Sequence, residues 1–378
     1  VIGTGYIGGV HLDALRRLGG VRVKSVCDVN TGFAKAAAGR FNVPEAKGDF
    51  KEVVDDPEID VIHNCTPNKL HFHITKAALE AGKQVMSEKP LAMTLDEAEQ
   101  LVDLAERKHA VTGVHFCYRY YPVVQEMAAR VRRGDAGDVF LVTGTWFQDW
   151  LSRDIDYSWR LDKSESGESN ITADLGSHWF DLIQFVTGLS VKRVIGDIET
   201  IIPVRKKPKK QVVAFEHVGD LEYENVNVEV EEYSAVLFRL DGAVPGSFTT
   251  SQAANGRKSD TEFQVYCSNY SLAWNHKWSD KLWIGHRDRP NETLTESPVL
   301  QDPSTARFAA LPAGHPMGYN DAVLNLFKDY YHTLETGDEI NEFGRPDFTT
   351  GYNEMVILDA VMKSVREKSW IHVGNLKE

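Results

Sequence analysis

The segment Gly3-Thr4-Gly5-Tyr6-Ile7-Gly8 reads G-x-G-x-x-G and opens a helical pattern over Ile7–Leu18. The first glycine of such a segment permits a tight turn after a strand. The second lets backbone approach a pyrophosphate, and the third lets helix pack closely on strand. The helix N-terminus itself favours phosphate charge. A second strand, Val21–Cys27, follows and runs into Asp28. An acid there accepts hydrogen bonds from an adenosine ribose and repels a 2′-phosphate, so NAD is expected in preference to NADP.

The rest of the first 117 residues keeps the same rhythm. Strands are predicted at Val61–Cys65, Gln84–Ser87 and Val111–Phe116, and helices at Thr31–Phe41, Lys69–Ala81 and Thr94–Lys108. This alternation indicates an α/β Rossmann domain, a parallel sheet with helices on both faces. From residue 118 the rhythm changes. Helices are predicted at Val123–Arg133 and Ser177–Val186, with β-rich stretches at Val139–Trp150, Val191–Pro203, Val226–Leu240, Ala243–Gln252, Glu262–Cys267 and Ser271–Trp274. Two late helices, Asn320–Thr336 and Phe348–Glu367, complete the pattern. Residues 118–378 are therefore expected to form an α+β domain with a large, mostly antiparallel open sheet, its last helix able to pack back on the first domain.

Lys and Arg number 42 against 55 Asp and Glu, a formal net charge of −13. Nucleic acid and anionic membrane are poor partners for such a surface. The one basic run, Arg205, Lys206, Lys207, Lys209 and Lys210, reads as a solvated loop or hairpin tip. Cys27, Cys65, Cys117 and Cys267 form no C-x-x-C pair, so a zinc knuckle is not expected, and free buried thiols fit a reducing cytoplasm. His71 and His73 point apart on a helix, and no metal is assigned. No signal peptide or 18-residue apolar stretch is evident. The glycine motif starts so early that most of the first strand, and any leader, is expected to precede Val1.

Two segments carry chemistry. Glu88-Lys89-Pro90 follows the strand Gln84–Ser87, and ligands of open parallel sheets bind beyond the strands' carboxyl ends. In Asp174-Leu175-Gly176-Ser177-His178-Trp179-Phe180-Asp181, Asp174 and His178 are four residues apart and His178 and Asp181 three. Either spacing lets a carboxylate hold the imidazole, fixing its tautomer and supporting its charged form.

Together with Thr66-Pro67-Asn68, His71 and Trp159-Arg160, these motifs resemble the Gfo/Idh/MocA family, the relatives of glucose–fructose oxidoreductase and inositol dehydrogenase. The resemblance implies that Lys89 and His178 flank the reacting carbon and that Asp174 lines the same pocket. It implies that Thr66, Asn68, His71 and Glu88 border the nicotinamide half of the cofactor, and that Trp159 and Arg160 reach in from the second domain. Gly167-Glu168-Ser169-Asn170 departs from relatives that carry glycines there, so the entry loop is expected to differ.

The expected activity is oxidation of a secondary hydroxyl, C3 by family analogy, of a pyranose sugar, glycoside or inositol-like polyol, or the reverse reduction. Cofactor contacts are expected from Gly3, Gly5, Tyr6, Ile7, Gly8, Asp28 and Lys89. Substrate contacts are expected from Lys89, Tyr118, Gln148, Arg160, Asp174 and His178. Trp146, Trp150, Trp159 and Trp179 could cover a sugar's C–H face, with Asp149, Arg153 and Asp156 among the polar groups and His315 and Tyr319 closing the pocket. His178 is the candidate base and Lys89 the cation, though the roles could be exchanged. The rival readings are a non-redox cleavage enzyme that uses NAD transiently and a non-catalytic sugar or NAD sensor. A homodimer or homotetramer is expected, because a broad antiparallel sheet needs both faces covered or solvated and its strands, as in Tyr233-Ser234-Ala235-Val236-Leu237-Phe238, carry apolar residues at many positions; the resemblance implies the same.

Overall fold

A computed structural model describes residues 1–209, 222–374 and 376–377. The first unit runs α1 (Tyr6–Leu18), β1 (Ser25–Cys27), α2 (Thr31–Phe41), β2 (Glu45–Lys47), α3 (Phe50–Val54), β3 (Val61–Asn64), α4 (Asn68–Glu80), β4 (Gln84–Ser87), α5 (Leu95–Lys108) and β5 (Thr112–Val114). β1 pairs β2 in parallel, and β3, β4 and β5 pair in parallel in that order. Ile2 bridges Cys27 on one side and Asn64 on the other, so the chain entering the glycine loop lies between the two sets of strands. Local signals set the ends. Asn30 caps α2 through its side chain, and Thr94 with Glu97 forms a capping box on α5.

The second unit continues with α6 (Pro122–Arg132), β6 (Val139–Phe147), α7 (Lys163–Ser166), α8 (Ser177–Thr187), β7 (Val191–Glu199), β8 (Val204–Pro208), β9 (Tyr223–Asn227), β10 (Tyr233–Leu240), β11 (Pro245–Ser251), β12 (Asp260–Cys267), β13 (Ser271–Asn275), β14 (Lys281–Gly285), β15 (Glu292–Thr295), α9 (Pro303–Ala306), α10 (Tyr319–Thr336), α11 (Phe348–Glu367) and β16 (Ile371–His372). The large sheet has nine strands in the order β15-β14-β13-β12-β6-β11-β10-β7-β16, antiparallel except at β11–β6. Its inner face is strongly apolar: Val142, Trp146, Phe238, Phe248, Phe263 and Trp274 are all buried, in one core with residues of α6, α8 and α10. The last helix reaches back to the first unit, where Val114 donates its N–H to the Pro346 carbonyl and Phe348 and Met355 join the core of α5.

One expectation fails here and another in part. Val226–Leu240 is not one strand. β9 pairs with β8 in a separate hairpin, while β10 enters the large sheet. Between them Glu231 and Glu232 are buried, which breaks the alternation a continuous strand needs. In the basic run Lys206 and Lys209 are exposed on the β8–β9 hairpin, but Arg205 is not solvated. Arg205 is fully buried, with Nη2 donating to Glu232 at 2.6 Å and to the Leu151 carbonyl at 2.7 Å. Its Nη1 donates to the carbonyls of Arg153 and Asp156. Lys206 is exposed and pairs with Asp154, and Lys210 lies outside the described residues. All four cysteines are free and buried.

Candidate active site

The glycine loop closes tightly in two places and stands open in a third. A Cβ on Gly3, whose φ is +91°, would lie 2.4 Å from the Cys65 carbonyl oxygen, and one on Gly8 would lie 2.1 Å from the Gly3 carbonyl oxygen. A Cβ on Gly5 would meet nothing within 4 Å. Gly5 also caps α1 without a side-chain acceptor. The result is an uncovered helix N-terminus in a narrow turn, which suits a pyrophosphate. Tyr6 is exposed at its edge and Ile7 half-buried behind it. Asp28 accepts from Thr4 N at 3.0 Å and Thr4 Oγ1 at 2.8 Å with one oxygen, and from Asn30 N with the other. A carboxylate accepts about four hydrogen bonds, so acceptor capacity remains for a ribose hydroxyl.

Across the cleft, Lys89 and Asp174 meet although 85 residues separate them. The Lys89 ammonium donates to Asp174 Oδ1 at 2.6 Å and to the Asp174 carbonyl at 2.7 Å. Arg160 Nε lies 3.4 Å from the same Oδ1, and Gln252 donates to Oδ2 at 3.2 Å. Burial pushes the Asp174 carboxyl up, but the Lys89 and Arg160 charges outweigh it and hold the group far below the usual carboxylate range. A π-helical turn, Thr172–Gly176, sets Asp174 ahead of α8. Glu231 pins the approach to that turn by accepting from Ser169 Oγ, Asn170 N and Thr172 N.

Asp174 was expected to hold His178. It holds Lys89 instead, because the π-helical turn replaces the regular i, i+4 geometry. His178 is buried, and its Nδ1 has no hydrogen-bond partner among the described residues. Burial, reinforced by Lys89 and His115, keeps its pKa well below the usual imidazole range, so the ring is neutral near pH 7. Asp181, the other acid near it in sequence, binds Arg119 at 2.8–2.9 Å through Nε.

Aromatic rings wall this histidine. Tyr118, in the 3₁₀ turn Cys117–Tyr120, lies 5.1 Å from His178 ring to ring, and Trp146 lies 5.9 Å away. Tyr319 closes on Tyr118 at 5.9 Å, whereas His315 is exposed and bonds the Pro312 carbonyl. Trp150 and Trp159 flank the Arg160 guanidinium, at 6.0 and 4.7 Å, and Gln148 accepts from Trp150 Nε1 at 2.7 Å. Trp179 does not belong to this wall. It is fully buried and stacks on Phe248, with Gly144 leaving room for its indole, so it is core. Asp149 and Arg153 are engaged elsewhere, with Lys258 and with Asp156.

The other expected cofactor residues serve the loops first. Thr66 Oγ1 donates to Asn64 Oδ1, Asn68 donates to the Ser166 carbonyl, and the His71 ring lies between the carbonyls of Thr66 and Pro90. Glu88 is buried between His11 and His115. Sequence reasoning missed Gln252, Glu231, His11 and His115. Only His11 left a signal, as a polar residue on the apolar face of α1 beside Leu12 and Leu15.

An open glycine turn with an acid at the end of β1, together with a buried Lys–Asp pair and a neutral histidine, is the arrangement of a dinucleotide-dependent dehydrogenase. The family model described as "Oxidoreductase family, NAD-binding Rossmann fold" matches residues 1–116, and the "GFO/IDH/MocA C-terminal domain" matches residues 124–273. The chain belongs to the Gfo/Idh/MocA family and is an NAD-dependent oxidoreductase acting on CH–OH groups. It is similar to levoglucosan dehydrogenase of Pseudarthrobacter phenanthrenivorans, 28% identical over 93% of this chain and 90% of that protein. It is 26% identical to D-apiose dehydrogenase of Paraburkholderia graminis over 100% of this chain and 90% of that protein. Among solved structures, levoglucosan dehydrogenase in complex with NADH and L-sorbose superposes with a TM-score of 0.88, at 26% identity, covering 99% of this chain and 98% of that one. No described helix is long and apolar enough to cross a membrane.

Proposed function

We propose that this enzyme oxidises a secondary ring hydroxyl of a pyranose sugar, glycoside or inositol-like polyol, or reduces the matching ketone, with C3 of a pyranose as the preferred position. The observation that carries the reading is the Lys89–Asp174 pair beside a buried neutral His178. Two of the three Lys89 ammonium protons go to Asp174, which fixes the direction of the third. That proton can orient a substrate hydroxyl and stabilise the alkoxide that develops on it. His178, whose ring is neutral near pH 7, is assigned to take the hydroxyl proton. When bound, the nicotinamide supplies the hydride acceptor. Tyr118, Gln148 and Arg160 are assigned to the substrate, the first through its ring and the others through hydrogen bonds.

The relatives named above are dehydrogenases, which leaves the transient-oxidation cleavage enzyme and the non-catalytic sensor without support. Levoglucosan and apiose, named for two relatives, are both carbohydrates, which supports the substrate class. The same reading divides the chain into a nucleotide unit, 1–117, and a substrate and association unit, 118–378, working as a cytoplasmic homodimer or homotetramer. The test is incubation with NAD and a panel of pyranosides, inositols and aliphatic alcohols, following NADH absorbance and the product by NMR. A keto group on a ring carbon is expected. Turnover of aliphatic alcohols alone would overturn the assignment.

A further inference from the structure

Lys89 gives two protons to Asp174, so the direction of its third depends on where the Asp174 carboxylate is held. Oδ1 takes Lys89 at 2.6 Å and faces Arg160 Nε at 3.4 Å. A carboxylate bound through one oxygen can still swing about that contact. Its second oxygen, Oδ2, accepts from Gln252 Nε2 at 3.2 Å. Gln252 stands just past the end of β11 and is fully buried. It takes no part in the proton or hydride steps.

A primary amide can present either its donor or its acceptor end, and only the donor end suits a carboxylate. The orientation here descends from a group that cannot turn. The Glu231 main-chain carbonyl only accepts, and Asn170 Nδ2 donates to it at 3.1 Å. The second Nδ2 proton goes to Gln252 Oε1 at 2.9 Å. With its oxygen thus engaged, Gln252 has only its NH2 to turn toward Asp174. Glu231 also holds the main chain of Asn170. Its Oε2 accepts from Asn170 N at 3.2 Å, and its Oε1 accepts from Ser169 Oγ at 2.6 Å and Thr172 N at 3.0 Å. The Asn170 carbonyl in turn accepts the Asp174 N–H at 2.8 Å. Glu231, Asn170 and Gln252 are all buried, so water does not compete for these bonds.

The main chain of Gln252 is held separately. Its N–H donates to the Glu232 carbonyl and its carbonyl accepts from the Leu151 N–H, both at 3.1 Å. Removing the side-chain amide therefore leaves the strand end in place and frees the carboxylate. We propose that Gln252, turned by Asn170 and Glu231, is a positioning residue that holds Asp174 so that Lys89 stays aimed at the reacting hydroxyl. The inference rests on the role proposed for Lys89.

Steady-state rates of the full chain, with NAD⁺ and the pyranoside or inositol it turns over fastest, test it in a double-mutant cycle of Gln252→Met and Lys89→Ala. Gln252→Met keeps the length of the side chain and removes both amide contacts. It should lower kcat roughly 10-fold, while the NAD⁺ dissociation constant, measured by calorimetry without substrate, stays within about 2-fold. Because Gln252 acts through Lys89, adding Gln252→Met to Lys89→Ala should change kcat by less than about 2-fold. Unchanged kcat in Gln252→Met, or a further loss of roughly 10-fold on top of Lys89→Ala, would overturn the positioning role. Should Gln252→Met not fold, Asn170→Ser leaves Gln252 in place and releases its oxygen. A several-fold loss of kcat that disappears in the Lys89→Ala background is then expected, and normal turnover would overturn the proposal. Near-normal turnover of Lys89→Ala by itself would overturn the role of Lys89 and this inference with it. A strongly impaired Lys89→Ala beside a normal Gln252→Met would overturn this inference alone.

Discussion

Single residues in this protein are tuned by burial more than by proximity in sequence. His178 is kept neutral by burial and Asp174 is kept ionised by Lys89 and Arg160, so the acid and the histidine four positions apart do opposite things. Lys89→Ala and His178→Ala should each lower kcat by roughly 100-fold or more in steady-state assays, since the proposed mechanism has each act on the reacting hydroxyl. NAD affinity, measured separately, should be little changed in both. Near-normal turnover in both would move the active site elsewhere. His11 gives a stability prediction. Its folded pKa falls from the usual value near 6.5 to about 4. Between these values the unfolded chain binds the proton and the folded chain does not. Stability from this group is therefore complete above about pH 6.5 and is lost as pH falls toward 4, by about 3 kcal/mol at most. Urea unfolding from pH 7 down to 4.5 should show the decline, and it should be shallower in His11→Asn. Glu296 works in the other direction. Burial, with Asp280 adding, raises its carboxyl to about 7, against the opposing pull of the Met317 backbone. The folded chain keeps that proton between pH 4.5 and 7 where the unfolded chain loses it, so Glu296 costs stability as pH rises through this window. Glu296→Gln should raise Tm by a few degrees at pH 8 and leave it nearly unchanged at pH 4.5.

At the scale of elements, the glycine turn separates what the fold needs from what the ligand needs. Gly8→Ala places a methyl against the Gly3 carbonyl oxygen and should lower Tm, whereas Gly5→Val meets open space. Gly5→Val should leave Tm within a degree or two and abolish NAD binding, because its side chain occupies the phosphate's place. A variant that binds NAD normally would show that the cradle is misread. Elements with strong local signals were legible in sequence. Thr31–Phe41 and Phe348–Glu367 form over the residues expected, bounded by an Asn and an Asp cap. β2, with the sequence Glu-Ala-Lys, has no apolar pattern to read. β14 and β15 hide behind the polar turn His286–Pro290. The candidate site was legible as a set of residues and illegible as a set of contacts. Lys89 and Asp174 were both expected, but their pairing depends on a π-helical turn that no spacing announces. Gln252 reaches Asp174 only because β11 lies parallel to β6 in the centre of the sheet. The buried Arg205–Glu232 pair inverts what a basic run says when read by composition alone.

At the scale of the whole molecule, the outer face of the nine-stranded sheet calls for a partner. Strand register sets Ile195, Leu237, Ser247, Thr143, Gln264, Ala273, Trp283 and Thr293 side by side in one row across eight strands. None of these side chains is charged and none is buried. Leu237 is 52% exposed and Trp283 39% exposed. Beside Trp283 a cleft of about 380 Å³ opens between Ala273, Trp278 and Lys281. Edges and faces of this kind are usually blunted with charge when a sheet stays solvated. A row that crosses almost the whole sheet without a charge instead matches the apolar centre of an interface, and a second copy of the same face is self-complementary under two-fold symmetry. The chain should therefore be a dimer or larger by light scattering at micromolar concentration. Leu237→Glu combined with Trp283→Glu should dissociate it, because each charge would be buried against its own symmetry mate or another apolar residue. The active-site residues lie on other elements, so NAD binding by the dissociated chain should persist and distinguish loss of assembly from loss of fold. A wild-type monomer at that concentration would remove the sheet face as an interface and leave its uncharged row without a structural reason.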